Sequence, residues 1–421
     1  MDRFVIKGGS VLNGKIKVGG AKNATLPILA SALMVSGKVC FSNLPKLNDV
    51  ATMIQLISHL GADVMLDETG SVEISSFDVK PTAAPYDLVR TMRASILVLG
   101  PMLARFGKAE VSLPGGCAIG ARPVNLHLKA LERLGVCFEV AGGYIRGNAP
   151  NGLKGCHILF DRITVTGTEN VLMAAVLARG QTIIENAARE PEVGDLARCL
   201  NKLGARIEGI DTNCLIVSGV DSLNDGYHEI IPDRIEAGTL LVATAACRGF
   251  ITLQNVNPHH LEATLLKLEE AGCSITRGDM SVTLDMRYKR PDAVDILTLE
   301  YPGFPTDMQA QFVALNAIAN GSSRVTETIF ENRMMHIPEL QRMGAKIDLQ
   351  GKVAVVTGTK NLFGAPVMST DLRASASLVI AGLVASGKTS INRVYHLDRG
   401  YERFEEKLRR LGADIERTCS Q

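Results

Sequence analysis

Twelve glycines set the frame of this chain. Six of them close apolar stretches of helical length, at Gly37, Gly107, Gly180, Gly249, Gly321 and Gly387. Six more, Gly61, Gly135, Gly204, Gly272, Gly344 and Gly412, close a second helix-length stretch on Leu-Gly-Ala or a near variant. Successive members of the second set lie 74, 69, 68, 72 and 68 residues apart, a period of about 70. Glycine ends helices because it adopts the left-handed cap conformation without strain. A fixed period this long means stacked copies of one α/β unit, each a helix, a strand, a second helix and further strands. Six such units divide naturally into two domains of three. The chain should change domain near Gly20–Lys22 and again near Pro232–Arg234.

The repeat also disposes of a decoy. Gly382-Leu-Val-Ala-Ser-Gly387-Lys388-Thr389 fits the P-loop pattern, which needs a strand before it and a helix after it. Here Gly387 ends a helix and Thr389 begins a strand, so the segment reads as a helix cap.

Composition narrows the partners. Lysine plus arginine (45) nearly cancels aspartate plus glutamate (44), which argues against a general nucleic-acid or membrane surface. Any anion site must therefore be a local concentration of charge. The nine cysteines include no Cys-x-x-Cys, against a disulfide framework or thiolate zinc site and for a reducing cytosol, hence a cytoplasmic protein. No apolar run reaches the roughly 18–20 residues of a membrane span, and Met1–Lys7 opens no signal-peptide core. No cofactor or metal is expected.

Two places in each unit can present side chains to a shared cleft: the start of the first helix and the turn before the second. Unit one offers Lys22 and Asn23, in a Gly-Gly-Ala-Lys-Asn run. The free N–H groups there suit phosphate, although Asn23 would also serve as a plain helix cap and Lys22 as a solvated cation. Unit two offers Arg93 and then Pro-Gly-Gly-Cys117-Ala-Ile-Gly-Ala-Arg122-Pro123. A cation near Cys117 favours the reactive thiolate, while most free cysteines are inert. Unit five offers Asp307 and Arg333, and unit six Arg373 and Arg399. Cations that keep phase with a repeat point to an anion site. Asp307 has a plainer reading as an acid stabilised by a helix dipole, which would weaken it as a base. Glu190-Pro-Glu192 and Asn257-Pro-His259-His260 read as turns that cap second helices, and the adjacent histidines lack metal-pair spacing.

Taken together, these segments resemble the enolpyruvyl transferase family, in its branch acting on UDP-N-acetylglucosamine, from end to end. To those already quoted, Pro-Asp233-Arg234-Ile-Glu-Ala-Gly-Thr, Phe-Pro-Thr-Asp307-Met-Gln, Phe-Glu-Asn-Arg333, Asp371-Leu-Arg373-Ala and Asp398-Arg399-Gly-Tyr-Glu add their weight. The resemblance implies an α/β inside-out barrel of two domains, each of three βαβαββ units. They would be residues 22–231 and residues 1–21 plus 232–421, with the active site in the cleft between.

It also implies the reaction: the enolpyruvyl group of phosphoenolpyruvate passes to the 3′-hydroxyl of UDP-N-acetylglucosamine and phosphate leaves, opening peptidoglycan synthesis. Cys117 would supply the proton or form an adduct, and Asp307 would accept the hydroxyl proton. Asn23 would position the reacting groups. Lys22, Arg122 and Arg399 would hold phosphate, with Arg93, Arg333 and Arg373 near the phosphoenolpyruvate end. The nucleotide would lie against Arg122, Pro123, Val124, Asn125 and Leu126, Arg162, Thr164 and Val165, with Ile329, Arg93 and Asp307 completing its site. Asn125 departs from the aspartate common in the family, and the segment after Asp161 departs as well.

Overall fold

The computed structural model describes residues 2–68, 70–90, 92–113 and 124–419. The described residues form two compact units. One takes the residues up to Gly19 and those from Pro232 on, and the other begins at Gly20 and ends at Ile231. Gly20 and Ala21 go with the latter: the Ala21 amide donates to the Ile231 carbonyl at 2.7 Å.

Each unit holds three four-stranded sheets of one design. His157–Leu159 runs parallel to Gln181–Glu185, which pairs antiparallel with Cys214–Ser218, itself antiparallel to Arg206–Glu208. Val165–Val176 and Pro191–Lys202 are the two helices of that βαβαββ unit. In three sheets one strand comes from elsewhere in the chain. Gly226–Glu229 runs beside Lys38–Ser42, Asn13–Lys17 beside Phe250–Gln254, and Asp2–Lys7 lies between Lys388–Asn392 and Asp414–Cys419.

The helices are inside and the sheets outside. Arg234–Ala246 has all its residues buried, as a helix that is small or apolar on every face requires. Strands such as Gln181–Glu185 alternate, burying Thr182 and Ile184. Each unit has its own apolar core, one spanning Ala21 to Ile230 and the other joining Phe4–Val18 to Ile235–Ile415.

The second-helix glycines all take φ between 91° and 103°. The first-helix set is mixed, because Gly37 and Gly249 are not left-handed. A Cβ on Gly37 would come within 1.9 Å of Asp225 Oδ1, and one on Gly249 within 2.0 Å of the Leu12 carbonyl oxygen. Asp225 and Leu12 each precede a strand borrowed from elsewhere in the chain, so these two glycines admit that strand. At the P-loop look-alike, Leu372–Val384 is helix and Lys388–Asn392 strand, the reverse of what phosphate cradling needs.

Candidate active site

In the unit containing both termini, the first-helix starts of units five and six meet. Thr306–Met308 is a tight 3-10 turn ahead of Gln309–Asn316, and the N-cap positions are Pro305 and Met308, not Asp307. Its carboxylate instead accepts from two buried arginines: Arg333 Nη2 to Oδ1 at 2.5 Å and Arg373 Nε to Oδ2 at 3.3 Å. Arg333 also donates to Thr306 Oγ1 at 3.0 Å, and Thr306 donates to Glu327 Oε2 at 2.8 Å. Glu327 accepts the amides of Ile329 and Phe330, fixing the turn that carries Ile329 and Arg333.

Arg373 lies over the Tyr401 ring, 5.2 Å from its centroid. Burial opposes the Arg373 charge, but Tyr401, Asp307 and Asp233 outweigh it and raise its pKa. The Tyr401 hydroxyl is buried against Thr239 Oγ1 at 3.0 Å and Gln311 Nε2 at 3.2 Å, and burial pushes its pKa up. Arg399 is half-buried on the turn before Gly400. That turn sits tightly on the helix start: a Cβ on Gly400 would meet Leu372 Cδ1 at 2.5 Å. Asp398 is spent on structure, taking a two-point contact from Arg417 at 2.6 and 3.0 Å. His336 is fully buried, and burial first, with Arg333 second against an opposing Asp371, lowers its pKa to about 4.

In the other unit, Lys22 opens the helix Lys22–Ser31 and is buried, its Nζ 2.6 Å from Asp49 Oδ2. Neither plain reading of this helix start holds. Ala21 is the N-cap, Asn23 is exposed, and Lys22 is not solvated. Asp49 escaped the sequence reading, although it sits at the turn phase of unit one where an acid should have been sought.

Arg93 begins a 3-10 stretch, Arg93–Val98, ahead of Leu99–Phe106. Pro101 there lacks the N–H an α-turn would use. The segments expected to hold the nucleotide come together. His127, on Asn125–Arg133, reaches Thr166 Oγ1 with Nε2 at 3.2 Å and takes Asn170 Nδ2 on Nδ1 at 2.9 Å. Asn170 also donates to the Ile96 carbonyl and accepts from the Gly100 amide, so its orientation is fixed. Burial first, then Arg93, lowers the His127 pKa to about 4. His127 was missed from sequence; its signal is its position on the first turn after the Cys117–Arg122 stretch. Val124 and Leu126 are half-buried, as are Thr164 and Val165, while Asn125 and Arg162 are exposed. Thr164 caps its helix, accepting from the Gly167 amide at 3.2 Å.

Cys117, Arg122 and Pro123 lie outside the described residues. Glu190 occupies an N-cap, but its side chain makes no cap bond. The acids of that turn instead face buried Glu169, whose pKa burial, then Glu192 and Glu190, raise well above the usual range. Asn257 does cap its turn, accepting from the His259 amide at 3.1 Å. Among the described residues no group of histidines, cysteines and acids is arranged to hold a metal, and no helix is long and apolar enough to cross a membrane.

Buried cations on helix starts inside two three-sheet units define a class, and the chain belongs to it. The family described as EPSP synthase (3-phosphoshikimate 1-carboxyvinyltransferase) matches residues 6–408. Within it, the chain is 58% identical to a UDP-N-acetylglucosamine 1-carboxyvinyltransferase of Saccharophagus degradans, over 99% of each chain. Among solved structures, the enolpyruvyl transferase NikO from Streptomyces tendae superposes with a TM-score of 0.89 at 25% identity, over all of this chain and 99% of that one. EPSP synthase from Acinetobacter baumannii, 18% identical with a TM-score of 0.78 over both whole chains, shares the fold.

Proposed function

We propose that this chain transfers the enolpyruvyl group of phosphoenolpyruvate to the 3′-hydroxyl of UDP-N-acetylglucosamine, releasing phosphate, as the first committed step of peptidoglycan synthesis in the cytoplasm. The end-to-end identity with the Saccharophagus degradans relative carries this reading. The course is addition followed by elimination. Protonation of the methylene carbon makes C2 of phosphoenolpyruvate electrophilic and the hydroxyl adds; a proton is then lost from the new methyl as phosphate leaves, restoring the double bond.

In this proposal both units contribute. Asp307, oriented by Arg333 and Arg373, accepts the proton of the 3′-hydroxyl as the C–O bond forms. Lys22 and Arg399, with Arg122, neutralise the phosphate; Arg93, Arg333 and Arg373 serve the carboxylate and the remaining charge. Asn23, exposed on the first turn beside Lys22, positions the reacting groups. Cys117 supplies the proton to carbon. Val124, Asn125, Leu126, Arg162, Thr164, Val165 and Ile329 border the nucleotide. The two substrates bring roughly five negative charges, each worth a few kcal/mol against a cation at 4 Å and an effective dielectric of about 20.

The test measures phosphate release from phosphoenolpyruvate with each of two acceptors. Release with UDP-N-acetylglucosamine and none with shikimate-3-phosphate supports the proposal, and the reverse selectivity overturns it. Cys117→Asp separates the thiol's roles: retained turnover assigns it as an acid, and a folded but dead variant makes a covalent adduct obligatory.

A further inference from the structure

Asp307 holds Arg333 and Arg373 from one side. The segments that carry these arginines also hold buried polar atoms without a well-aligned protein hydrogen bond. Neither Nδ1 nor Nε2 of fully buried His336 has a well-aligned hydrogen-bond partner, although the Arg333 backbone reaches the ring as an acceptor. Asp371 spends Oδ1 on the amides of Arg373 and Ala374, and its Oδ2 is buried and unmatched. Arg373 Nη1, Thr370 Oγ1 and Gln309 Oε1 share that condition.

These atoms sit on segments that the contacts of Asp307 with Arg333 and Arg373 tie together. Asp371 and Arg333 are the charges that act on His336. Thr370, Asp371 and Arg373 surround one helix start. Gln309 donates to Met334 Sδ at 2.8 Å, two residues before His336. Native interiors leave few such atoms unsatisfied, and where they cluster, buried water joins them. Donors and acceptors balance. One imidazole N–H, the Thr370 hydroxyl and Arg373 Nη1 donate, while the second ring nitrogen, Asp371 Oδ2 and Gln309 Oε1 accept.

We propose that His336 is a positioning residue for enolpyruvyl transfer: with Asp371 Oδ2, Arg373 Nη1, Thr370 Oγ1 and Gln309 Oε1 it encloses ordered water that aims the Arg333 and Arg373 guanidiniums at the substrate's anionic groups. An uncharged ring suits the place, since full burial disfavours its charged form more than Asp371 favours it. The inference rests on the reaction proposed above for its kinetic consequence, and on the structure alone for the water.

Two variants of the full chain test it. His336→Phe keeps a ring and removes both nitrogens; His336→Gln returns a donor and an acceptor. We expect the phenylalanine variant to raise KM for phosphoenolpyruvate about tenfold or more. KM for the nucleotide should change little, and glutamine should recover most of the loss. Unchanged kinetics in the phenylalanine variant, or equal losses for both substrates in both variants, overturn the role.

A high-resolution crystal structure of the unaltered chain decides the matter if the variants fail to fold. Water bonded to a His336 ring nitrogen and to Asp371 Oδ2 or Arg373 Nη1 supports the proposal, and a dry ring ends it. If the unaltered chain transfers no enolpyruvyl group, the reaction falls while the water network is still judged by this density.

Discussion

Each unit buries one histidine next to an arginine of the candidate site, and the two are served differently. His127 has both ring nitrogens bonded by protein, to Thr166 and Asn170, and ties two helix starts together. His336 has no well-aligned protein hydrogen bond on either nitrogen, and the Asp371 Oδ2 that faces it is unmatched as well. The charged groups differ in the same direction. Lys22 pairs with Asp49 at 2.6 Å, whereas Asp307 takes contacts from two guanidiniums. Burial lowers both histidine pKa values to about 4, so burial does not separate them. The contrast teaches that one buried histidine is fixed by protein groups on both ring nitrogens, while the other lies among unmatched polar atoms beside a shared carboxylate.

The largest test of that contrast is Asp307→Ala. It strands two buried arginines and removes the proposed base, so kcat should fall about 10²–10⁴-fold. Chemical denaturation should show a loss of about 3 kcal/mol, as for a broken buried ion pair. Lys22→Ala removes one cation from Asp49, and we expect a smaller stability loss, about 2 kcal/mol, with KM for phosphoenolpyruvate raised. Equal losses from the two substitutions would erase the difference between the units.

Acid should expose what the units share. Below pH 6.5 the unfolded chain protonates each of these histidines, while the folded chain resists until about pH 4. Stability is therefore lost as pH falls through that window, by about 3 kcal/mol for His127 at its foot, and nothing is contributed above it. Urea unfolding of His127→Gln against the parent isolates the effect, because the variant's acid loss should be shallower. Parallel curves would mean that His127 takes up its proton alike in the folded and unfolded chain.

Tyr401→Phe sharpens the account on a smaller scale. It removes a hydroxyl shared by Thr239 and Gln311 beneath Arg373, at a cost of about 1 kcal/mol in thermal or urea unfolding. No loss would mean that the hydroxyl network is not formed. Smallest of all is Lys388→Ala in the P-loop look-alike. It should leave activity unchanged, and millimolar ATP should not raise the melting temperature of either protein; a shift that the substitution abolishes would overturn the helix-cap reading.

Much of the fold was legible because the repeat is written in glycines whose backbone conformation is demanding. The six second-helix glycines declare themselves by position, and all are left-handed. Gly37 and Gly249 carry the same letter for another reason: each admits a strand that arrives from a distant part of the chain. Sequence periodicity reports local structure, so it is silent about which distant strand fills a sheet.

The site shows the same division. Lys22, Arg93, Asp307, Arg333, Arg373 and Arg399 stand out as candidates by their phase in the repeat. Asp49, His127 and His336 are not, because a buried partner is defined by what faces it. His127 and His336 read as ordinary helical residues until Thr166, Asn170, Asp371 and Arg333 stand around them. Glu190 misled in the opposite sense, since its place at a helix start suggested a cap that its side chain does not make.

The most direct test of the central claim identifies the product. The chain would be incubated with phosphoenolpyruvate labelled with ¹³C at C2 and with UDP-N-acetylglucosamine, and the nucleotide examined by mass and carbon NMR. A labelled enolpyruvyl ether on the 3′-oxygen, formed in step with phosphate, is the predicted result. Unlabelled nucleotide recovered from folded, substrate-saturated protein would contradict it.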